Sequence, residues 1–532
     1  TLSSSSAASD VYKRQLIYRL VSCLCCTFAV QYLDVFQTHV RMKRRNYFIF
    51  SCLMLMAPAA VQAQFDKGLN YKIETSATVS GGHNTPFWLV ANKHGLSSIR
   101  KNNAYLDAGI FRDLEKDKKF SYAFGLEMVG ASRFTSKFFI QQAYVDLRYR
   151  GMEISVGSKE RGNEMKNDQL SSGSMTFSTN ARPIPQVRVS IPEYIPFPWT
   201  KNWLHIKGHV AYGMFTDEKF QERFTAGRSK YTKETLFHSK AAFLKVENLQ
   251  KSPVSVELGI EMAAQFGGDC YYPDGTVLRT PDSWKDFFRI FFPSNGDSGA
   301  SESDQINILG NHVGSYSAAV GYHFPTWKIK AYWEHFFEDR SGMTLTYGMW
   351  RDCLAGLEVT LPENPFVKTI VGEFLYTKHQ SGAFHYFATP AIDHSFTGAD
   401  NYYNNSQYAG WEHWGQGIGN PLVTSPIYNK DGNLAFESNR VKGFHIGLNG
   451  SPTSEIDYRI LVSVAKHWGT YGSPYRNIRR NQNGLLEVTY KPEQIRGWSF
   501  TLAGAVDGGN MLGESWGGML TIRKTGLIGK KK

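Results

Sequence analysis

The chain has 532 residues, 14% of them aromatic, and 49 glycines, at a mean hydropathy of −0.35. That hydropathy excludes a bundle of membrane-spanning helices. The aromatic and glycine content suits many strands and turns, and a barrel that alternates lipid-facing and lumen-facing residues averages to such a value. Of the formal charge of +12, five charges belong to residues 1–63, which hold seven Lys/Arg against two Asp, and Lys530, Lys531 and Lys532 supply three more. No basic stripe with interleaved aromatics remains, which argues against nucleic acid as a partner.

Met42 opens a signal-peptide pattern. Lys43, Arg44 and Arg45 precede an apolar run over 47–56, and Val61-Gln62-Ala63 is an A-x-A-like cleavage site. The run is shorter than the roughly 20 apolar residues that a spanning helix needs. Residues 42–63 are therefore read as a signal peptide and 64–532 as a single domain starting at Gln64. No cysteine follows the cut to carry a lipid anchor. Residues 1–41, opening TLSSSSAASDVYKRQ, resemble a translated library adaptor with upstream untranslated sequence and are set aside. Cys23, Cys25, Cys26 and Cys52 fall in the leader; Cys270 and Cys353 follow it. One bridge in an oxidising periplasm and two free thiols both fit that pair.

Period-2 segments then follow one another. In 203–215, Leu204, Ile206, Val210, Tyr212 and Met214 oppose His205, Lys207, His209, Ala211 and Gly213. In 456–468, Ile456, Tyr458, Ile460, Val462 and Val464 oppose Asp457, Arg459, Ser463 and His467; in 498–507, Trp498, Phe500, Leu502 and Val506 oppose Ser499, Thr501, Ala503 and Asp507. Successive strand side chains point to opposite faces, so each segment has one apolar and one polar or small face. Such alternation predicts about 18 strands, starting near residues 71, 103, 120, 138, 151, 183, 203, 236, 254, 313, 327, 347, 367, 438, 456, 482, 496 and 514.

Connection lengths choose between a soluble sandwich and a membrane barrel. EKDKK, Arg150-Gly151, PFPWTKN, LQKSP, Pro325-Thr326, PENP, NGSPTS and KPEQ join alternate strand pairs tightly. The other connections include the long ones, 81–102, 159–180, 216–235, 267–312 and 380–437. Short turns at one end and long loops at the other predict an all-β, transmembrane antiparallel outer-membrane β-barrel, with periplasmic turns and extracellular loops. Trp203, Trp327 and Trp498 at the short-turn end, and Trp350, Trp468 and Trp516 at the other, suit two aromatic girdles. The last strand, about 515–523, departs from the usual aromatic ending, since KTGLIGKKK follows it.

Several segments are similar to parts of the Wzi-type capsule assembly proteins: TPFWLVANKHG at 85–95, LSSGSMTFSTNARPIPQVRVSIPEY at 170–194, HFFEDRSGM at 335–343 and NYYNNSQYAGWEHWGQGIGNPL at 401–422. The resemblance covers most of residues 64–525. It implies an outer-membrane barrel of 18 strands that acts as a lectin and holds capsular polysaccharide on the cell surface. It also implies the periplasmic helical plug of some relatives, for which the few residues between Gln64 and the first strand leave little room.

Candidate site residues cluster in the loop 380–437, where Tyr402, Tyr403, Tyr408, Trp411 and Trp414 stand among Asn401, Asn404, Asn405 and Gln407. Sugar C–H faces pack on rings and sugar hydroxyls bond amides, so this mixture suits a glycan site. Equally, the rings could pack the loop against itself or plug the lumen. Arg182 could meet an acidic glycan, although a barrel-wall carboxylate is the more economical partner for it. Pro183, Pro185, Pro192, Pro196 and Pro198 predict an irregular strand. The segment 283–292 reads as a helix capped by Ser283 that folds as a lid on the barrel mouth, with a free membrane-surface helix as the lesser alternative.

Three other patterns carry little. Gly296-Asp297-Ser298-Gly299 lacks the histidine block or G-x-S-x-G elbow of a nucleophile site. His205 and His209 share a face and could bind a metal, yet a wet barrel lumen accommodates histidines freely. Glu334, His335, Glu338 and Asp339 suit interior ion pairing better than acid–base catalysis. The expectation is thus a non-enzymatic lectin and assembly factor without cofactor or metal. Its partners would be capsular or extracellular polysaccharide, outer-membrane lipid and the capsule export machinery. The rival is a carbohydrate-selective porin, the same barrel with an open lumen.

Overall fold

The computed structural model describes residues 68–115, 117–292, 309–338, 342–343, 349–383 and 398–528. The leader, signal-peptide and cleavage-site readings lie outside these residues, as do Gly296-Asp297-Ser298-Gly299 and Asp339. From Gly68 onward the chain is one compact unit. Eighteen strands form a single antiparallel sheet, beginning with Leu69–Gly82 and ending with Ser515–Ile528. These two strands pair along their whole length, from Leu69 opposite Ile528 to Gly82 opposite Ser515, and so close the barrel. Closure leaves no unpaired sheet edge in the hydrocarbon layer, where an unsatisfied backbone group is costly. The last strand runs to Ile528, five residues beyond the predicted Arg523, and most of the KTGLIGKKK tail is wall.

The alternation read from the sequence sets the two faces, and the barrel is inside-out relative to a soluble protein. Val79 and Leu502 are 65% and 63% exposed on the outer wall, while Asp107, Glu127 and Asp146 are fully buried on the inner one. The expected short connections lie at one end of the barrel, the end where the first strand begins and the last strand finishes. Trp516 and Trp350 lie exposed towards the long-loop end; at the other, Trp498 is partly exposed and the Trp327 ring stacks on Phe324 at 4.0 Å. The proline-rich strand Gln186–Pro196 slips register against Leu204–Met214 between Ile191 and Ile195, around Pro192. A proline has no N–H for the ladder, so the chain bulges there.

The helix Trp284–Phe291 forms as expected. Ser283 and Asp286 make a reciprocal capping box, which satisfies N-terminal amides. It is not a lid on the mouth. His238, Ala264 and Phe266 have the outward parity of the exposed Leu244 and Leu258, yet all three are buried. What covers them is this helix, lying on the outer wall through Phe287 and Ile290. The Tyr212 hydroxyl donates to the Phe287 carbonyl at 2.9 Å, and the Lys240 ammonium donates to the Phe291 carbonyl. The helix has a second apolar stripe, and Trp284 and Phe288 on it face outwards, 63% and 67% exposed. Lys240 thus satisfies one of the helix's orphan carbonyls and Tyr212 adds a second bond to its backbone, and both hold it on the outer wall. Cys270 and Cys353 are both free thiols.

Candidate functional site

The lumen is filled by the chain's own long loops. The segments around Phe87–Val90, 170–184 and 401–436 turn inwards. Their Trp88, Met175, Tyr403, Trp411, Ile418 and Phe436 pack with inward wall residues from Phe237 round to Ala505 in one continuous core. On the remaining arc of wall, Leu96 packs against Val129, Phe134 and Phe139. Close approach of backbone makes this possible. A Cβ on wall residue Gly447 would lie 2.3 Å from the Leu170 carbonyl oxygen, so only glycine lets the plug lie flat there.

Hydrogen bonds fix the plug to the wall and to itself. Glu373 accepts from the Ser171 hydroxyl and the Ser172 amide at 2.6 and 2.7 Å. Glu334 accepts from the Met175 amide at 3.0 Å and pairs with the buried Lys166 at 2.7 Å. The Asn180 amide group donates to the Gly417 carbonyl at 2.8 Å, and the Ser178 amide donates to the Ile418 carbonyl at 2.8 Å. Nearer the short turns the inner wall is ionic. Lys72 bridges Asp107 and Glu127, and Lys93 and Arg459 both pair with Glu487. The acid–base pattern at 334–338 is therefore structural: Glu334 holds the plug, and His335 Nδ1 bonds the Asp352 carbonyl oxygen at 2.7 Å.

The residues singled out in the loop 380–437 separate into two groups. Tyr402, Tyr403, Tyr408 and Trp411 are buried. Tyr402 donates to Asp352 at 3.0 Å, Tyr403 to the Met175 carbonyl, Tyr408 to Thr280 at 3.4 Å, and Trp411 to the Thr176 carbonyl at 2.9 Å. Tyr402, Tyr403 and Trp411 belong to the plug's core, while Tyr408 is buried outside that cluster. Trp414, Asn404 and Asn405 are partly exposed. Asn404 brackets the Phe436 backbone, accepting from its amide and donating to its carbonyl at 2.7 and 2.9 Å. Asn405 accepts from the Gln407 amide at 2.8 Å.

Arg182 meets rings and not a wall carboxylate. Its guanidinium lies between Phe139 and Trp414, 3.8 and 4.6 Å from their centroids, and donates to Thr135 at 2.8 Å. Burial lowers its pKa to about 9 against the opposing pull of Asp217. A planar, weakly hydrated guanidinium tolerates such a stacked site as an ammonium would not. Close by, the Glu412 carboxyl accepts from the Gly415 amide at 2.6 Å. Burial, with the neighbouring charge of Asp217, holds that carboxyl well above the ordinary carboxylate range.

One surface feature has no counterpart in the sequence reading. Three short strands in the loops, Tyr231–Lys233, Asp269–Tyr271 and Val277–Arg279, form a small sheet. It sets Tyr231 opposite Tyr271. The rings stack at 5.0 Å with an interplanar angle of 8°, and the Lys233 ammonium sits over both while pairing with Glu222 at 3.2 Å. Beside them, Tyr272 donates to the Ser406 carbonyl at 3.2 Å and the Lys230 ammonium donates to the Asn405 carbonyl. The small sheet therefore touches the 401–409 stretch directly. Within the plug, a polar cleft of about 180 Å³ is lined by residues including Asn92, His94, Arg161 and Asp168. Ligand pockets usually run to about 300–1,000 Å³, so this cleft is too small for an oligosaccharide.

Comparison with solved structures matches this architecture. The carbohydrate-binding β-barrel Wzi of Escherichia coli, an outer-membrane protein involved in group 1 capsule assembly, aligns with a TM-score of 0.53 at 13% identity, covering 86% of this chain and 85% of its own. OccAB4 of Acinetobacter baumannii aligns at a TM-score of 0.41 and 9% identity over 87% of this chain and 99% of its own. OpdQ of Pseudomonas aeruginosa aligns at 0.42 and 6% over 86% and 99%. No curated protein matches the sequence. The sequence profile described as capsule assembly protein Wzi matches residues 69–423, a stretch that takes in the first thirteen wall strands and most of the plug, and the chain belongs to that family.

Proposed function

We propose that this protein is a non-enzymatic outer-membrane lectin and assembly factor that holds capsular or other exopolysaccharide at the cell surface, with its long loops outside. One observation carries the reading. The long loops fill the lumen with a rigid, hydrogen-bonded plug and keep stacked rings and amides at its mouth. A carbohydrate porin needs a continuous polar path, and the apolar packing of Trp88, Tyr403 and Trp411 across the lumen favours a closed, binding barrel over one. Membership of the capsule assembly family supports the choice of polysaccharide as ligand.

In this reading Tyr231 and Tyr271 form a stacking platform next to Asn405, whose carbonyl Lys230 bonds, while Asn404 and the Arg182–Trp414 stack would contribute from elsewhere on the loops. Tyr402, Tyr403 and Trp411 hold the loop to the plug, and Tyr408 ties it to Thr280, which bonds the Gly268 carbonyl next to the strand Asp269–Tyr271. The short-turn rim faces the periplasm, where the capsule export machinery would be met. The test is binding of purified capsular polysaccharide by the refolded barrel and by Tyr231→Ala/Tyr271→Ala. A ring contributes about 0.5–1.5 kcal/mol, taking the aromatic-pair magnitude, so two rings weaken binding roughly 5- to 150-fold. Unchanged binding in the folded double variant removes this platform from the site. Steady conductance of sugars through the wild-type barrel would replace the lectin with the porin.

A further inference from the structure

The outer wall carries a basic row near the long-loop rim. Strand pairing sets Lys442 opposite Lys466 and Lys466 opposite Arg480, on the adjacent strands Val441–Gly450, Ile456–Gly469 and Pro474–Tyr490. All three side chains share the outward parity of the lipid-facing Phe444, Val464 and Leu486 and are exposed. Neighbouring strands lie about 4.8 Å apart, so the three cations span on the order of 10 Å. Just beyond them, towards the rim, the Lys378 ammonium lies 3.8 Å from the centroid of the girdle residue Trp468. Arg440 Nε donates to the Lys378 carbonyl at 3.5 Å, and the Arg440 guanidinium lies over Tyr471 at 4.0 Å.

Among the described residues none of these five cations forms an ion pair. Burial lowers the Lys378 pKa, and the positive charges of Arg440 and Lys442 lower it further, with no carboxylate opposing them. At the opposite rim two exposed lysines do have partners, Lys491 on Asp457 and Lys118 on Glu115. Five uncompensated cations on one strip of wall repel one another, a cost that an anion removes.

We propose that Lys442, Lys466 and Arg480, backed by Lys378 and Arg440, bind the phosphorylated headgroup of an outer-leaflet glycolipid. Height favours lipid over polysaccharide. The row points sideways into the membrane plane, and two residues along each of the first two strands stand the exposed apolar Phe444 and Val464, followed by Ile446 and Val462. Two residues of strand rise about 7 Å, the step from phosphate to acyl chain. Charge-assisted bonds from Lys and Arg to phosphate oxygens are short and strong. The assignment rests on the long-loop end facing outwards, as proposed above.

The test uses the purified full barrel in detergent and native mass spectrometry. The probes are bis-phosphorylated lipid A, its dephosphorylated form, inorganic phosphate and capsular polysaccharide. The wild type should retain lipid A through detergent washing. Lys442→Ser/Lys466→Ser/Arg480→Ser, and dephosphorylated lipid on the wild type, should each bind about 10- to 100-fold more weakly. Lys442→Arg/Lys466→Arg should bind as the wild type does. Heat-modifiable migration on gels confirms that each variant is a folded barrel. Equal lipid A retention by the triple variant overturns the proposal. So does displacement of the lipid by equimolar inorganic phosphate, or loss of polysaccharide binding alone. Binding in micelles is independent of orientation, which is read separately by surface labelling on cells, so the two failures are distinguishable.

Discussion

The indole nitrogen of Trp411 donates to the carbonyl of Thr176 at 2.9 Å, tying the last long loop to the segment that fills the lumen. The Trp411 ring is fully buried and packs on Phe177 and Phe237. Trp414, three residues on, is partly exposed beside Arg182. Two tryptophans in one amide-rich loop therefore do different work. Trp411→Ala should cost the plug about 3–5 kcal/mol and open 401–436 to protease, with any loss of glycan binding tracking cleavage. Trp414→Ala should leave the loop protease-resistant and lower glycan affinity directly. Limited proteolysis beside a polysaccharide binding assay separates them, and equal protease sensitivity in both would refute the division.

The plug should keep the barrel shut. In planar bilayers the wild type should give no large, stable ohmic steps. Lys166 and Glu334 are each 2% exposed and pair at 2.7 Å. Removing one partner of a buried pair leaves an uncompensated charge and costs about 3–5 kcal/mol. Lys166→Met should accordingly loosen the plug and give conductance. Lys166→Met/Glu334→Gln should restore closure, because a glutamine oxygen can still accept from the Met175 amide. A silent single variant would mean that this pair does not hold the plug.

Sequence alternation located the wall well because a lipid-facing strand has no other way to satisfy both solvents. Sixteen of the eighteen predicted strand starts lie within three residues of the observed ones. The two larger misses have causes. The strand expected near 482 begins at Pro474, since PYRNIRRN stands above the apolar belt and is wet on both faces, where alternation carries no signal. The strand expected near 347 begins at Cys353, after a short 3-10 turn at Met349–Arg351. The plug was visible only as composition. A luminal core built from loops has no period, so Tyr403 in the plug and a ring on a binding surface look alike in sequence. Tyr231 and Tyr271 lie far apart in the chain and meet only through the register of a three-residue strand pair. The helix Trp284–Phe291 offers two apolar stripes, and only tertiary contact decides which one is buried.

Orientation is open to direct measurement. Ser406 is exposed at the long-loop end, and a cysteine there should react with an impermeant thiol reagent on intact cells whose capsule does not mask it. A cysteine at Glu363, in the turn between Cys353–Thr360 and Thr369–Tyr376, should react only after the outer membrane is permeabilised. Glu363 is the better control than its neighbour Asn364, whose side chain bonds the Pro362 and Val367 backbone and shapes the turn. Reversed labelling would invert the topology and place the ring platform in the periplasm.

Glu412 should make the plug sensitive to pH. It is 1% exposed, and its carboxyl is held well above the ordinary value of 4.5 by burial and by Asp217. A group whose folded pKa is raised stabilises fully below its unfolded pKa, where both states are protonated. As pH rises past about 4.5, the unfolded loop ionises while the folded one keeps its proton, so stability falls until the folded carboxyl also titrates. Protection of 401–436 from protease should therefore decline from mildly acidic to neutral pH. Glu412→Gln keeps the shape and an acceptor for the Gly415 amide, and it removes the titration. The variant should match the wild type at about pH 4 and be the more resistant at about pH 7. Parallel pH profiles for the two proteins would show that Glu412 ionises in the folded plug with an ordinary pKa, and that the Gly415 amide and the surrounding dipoles compensate its charge.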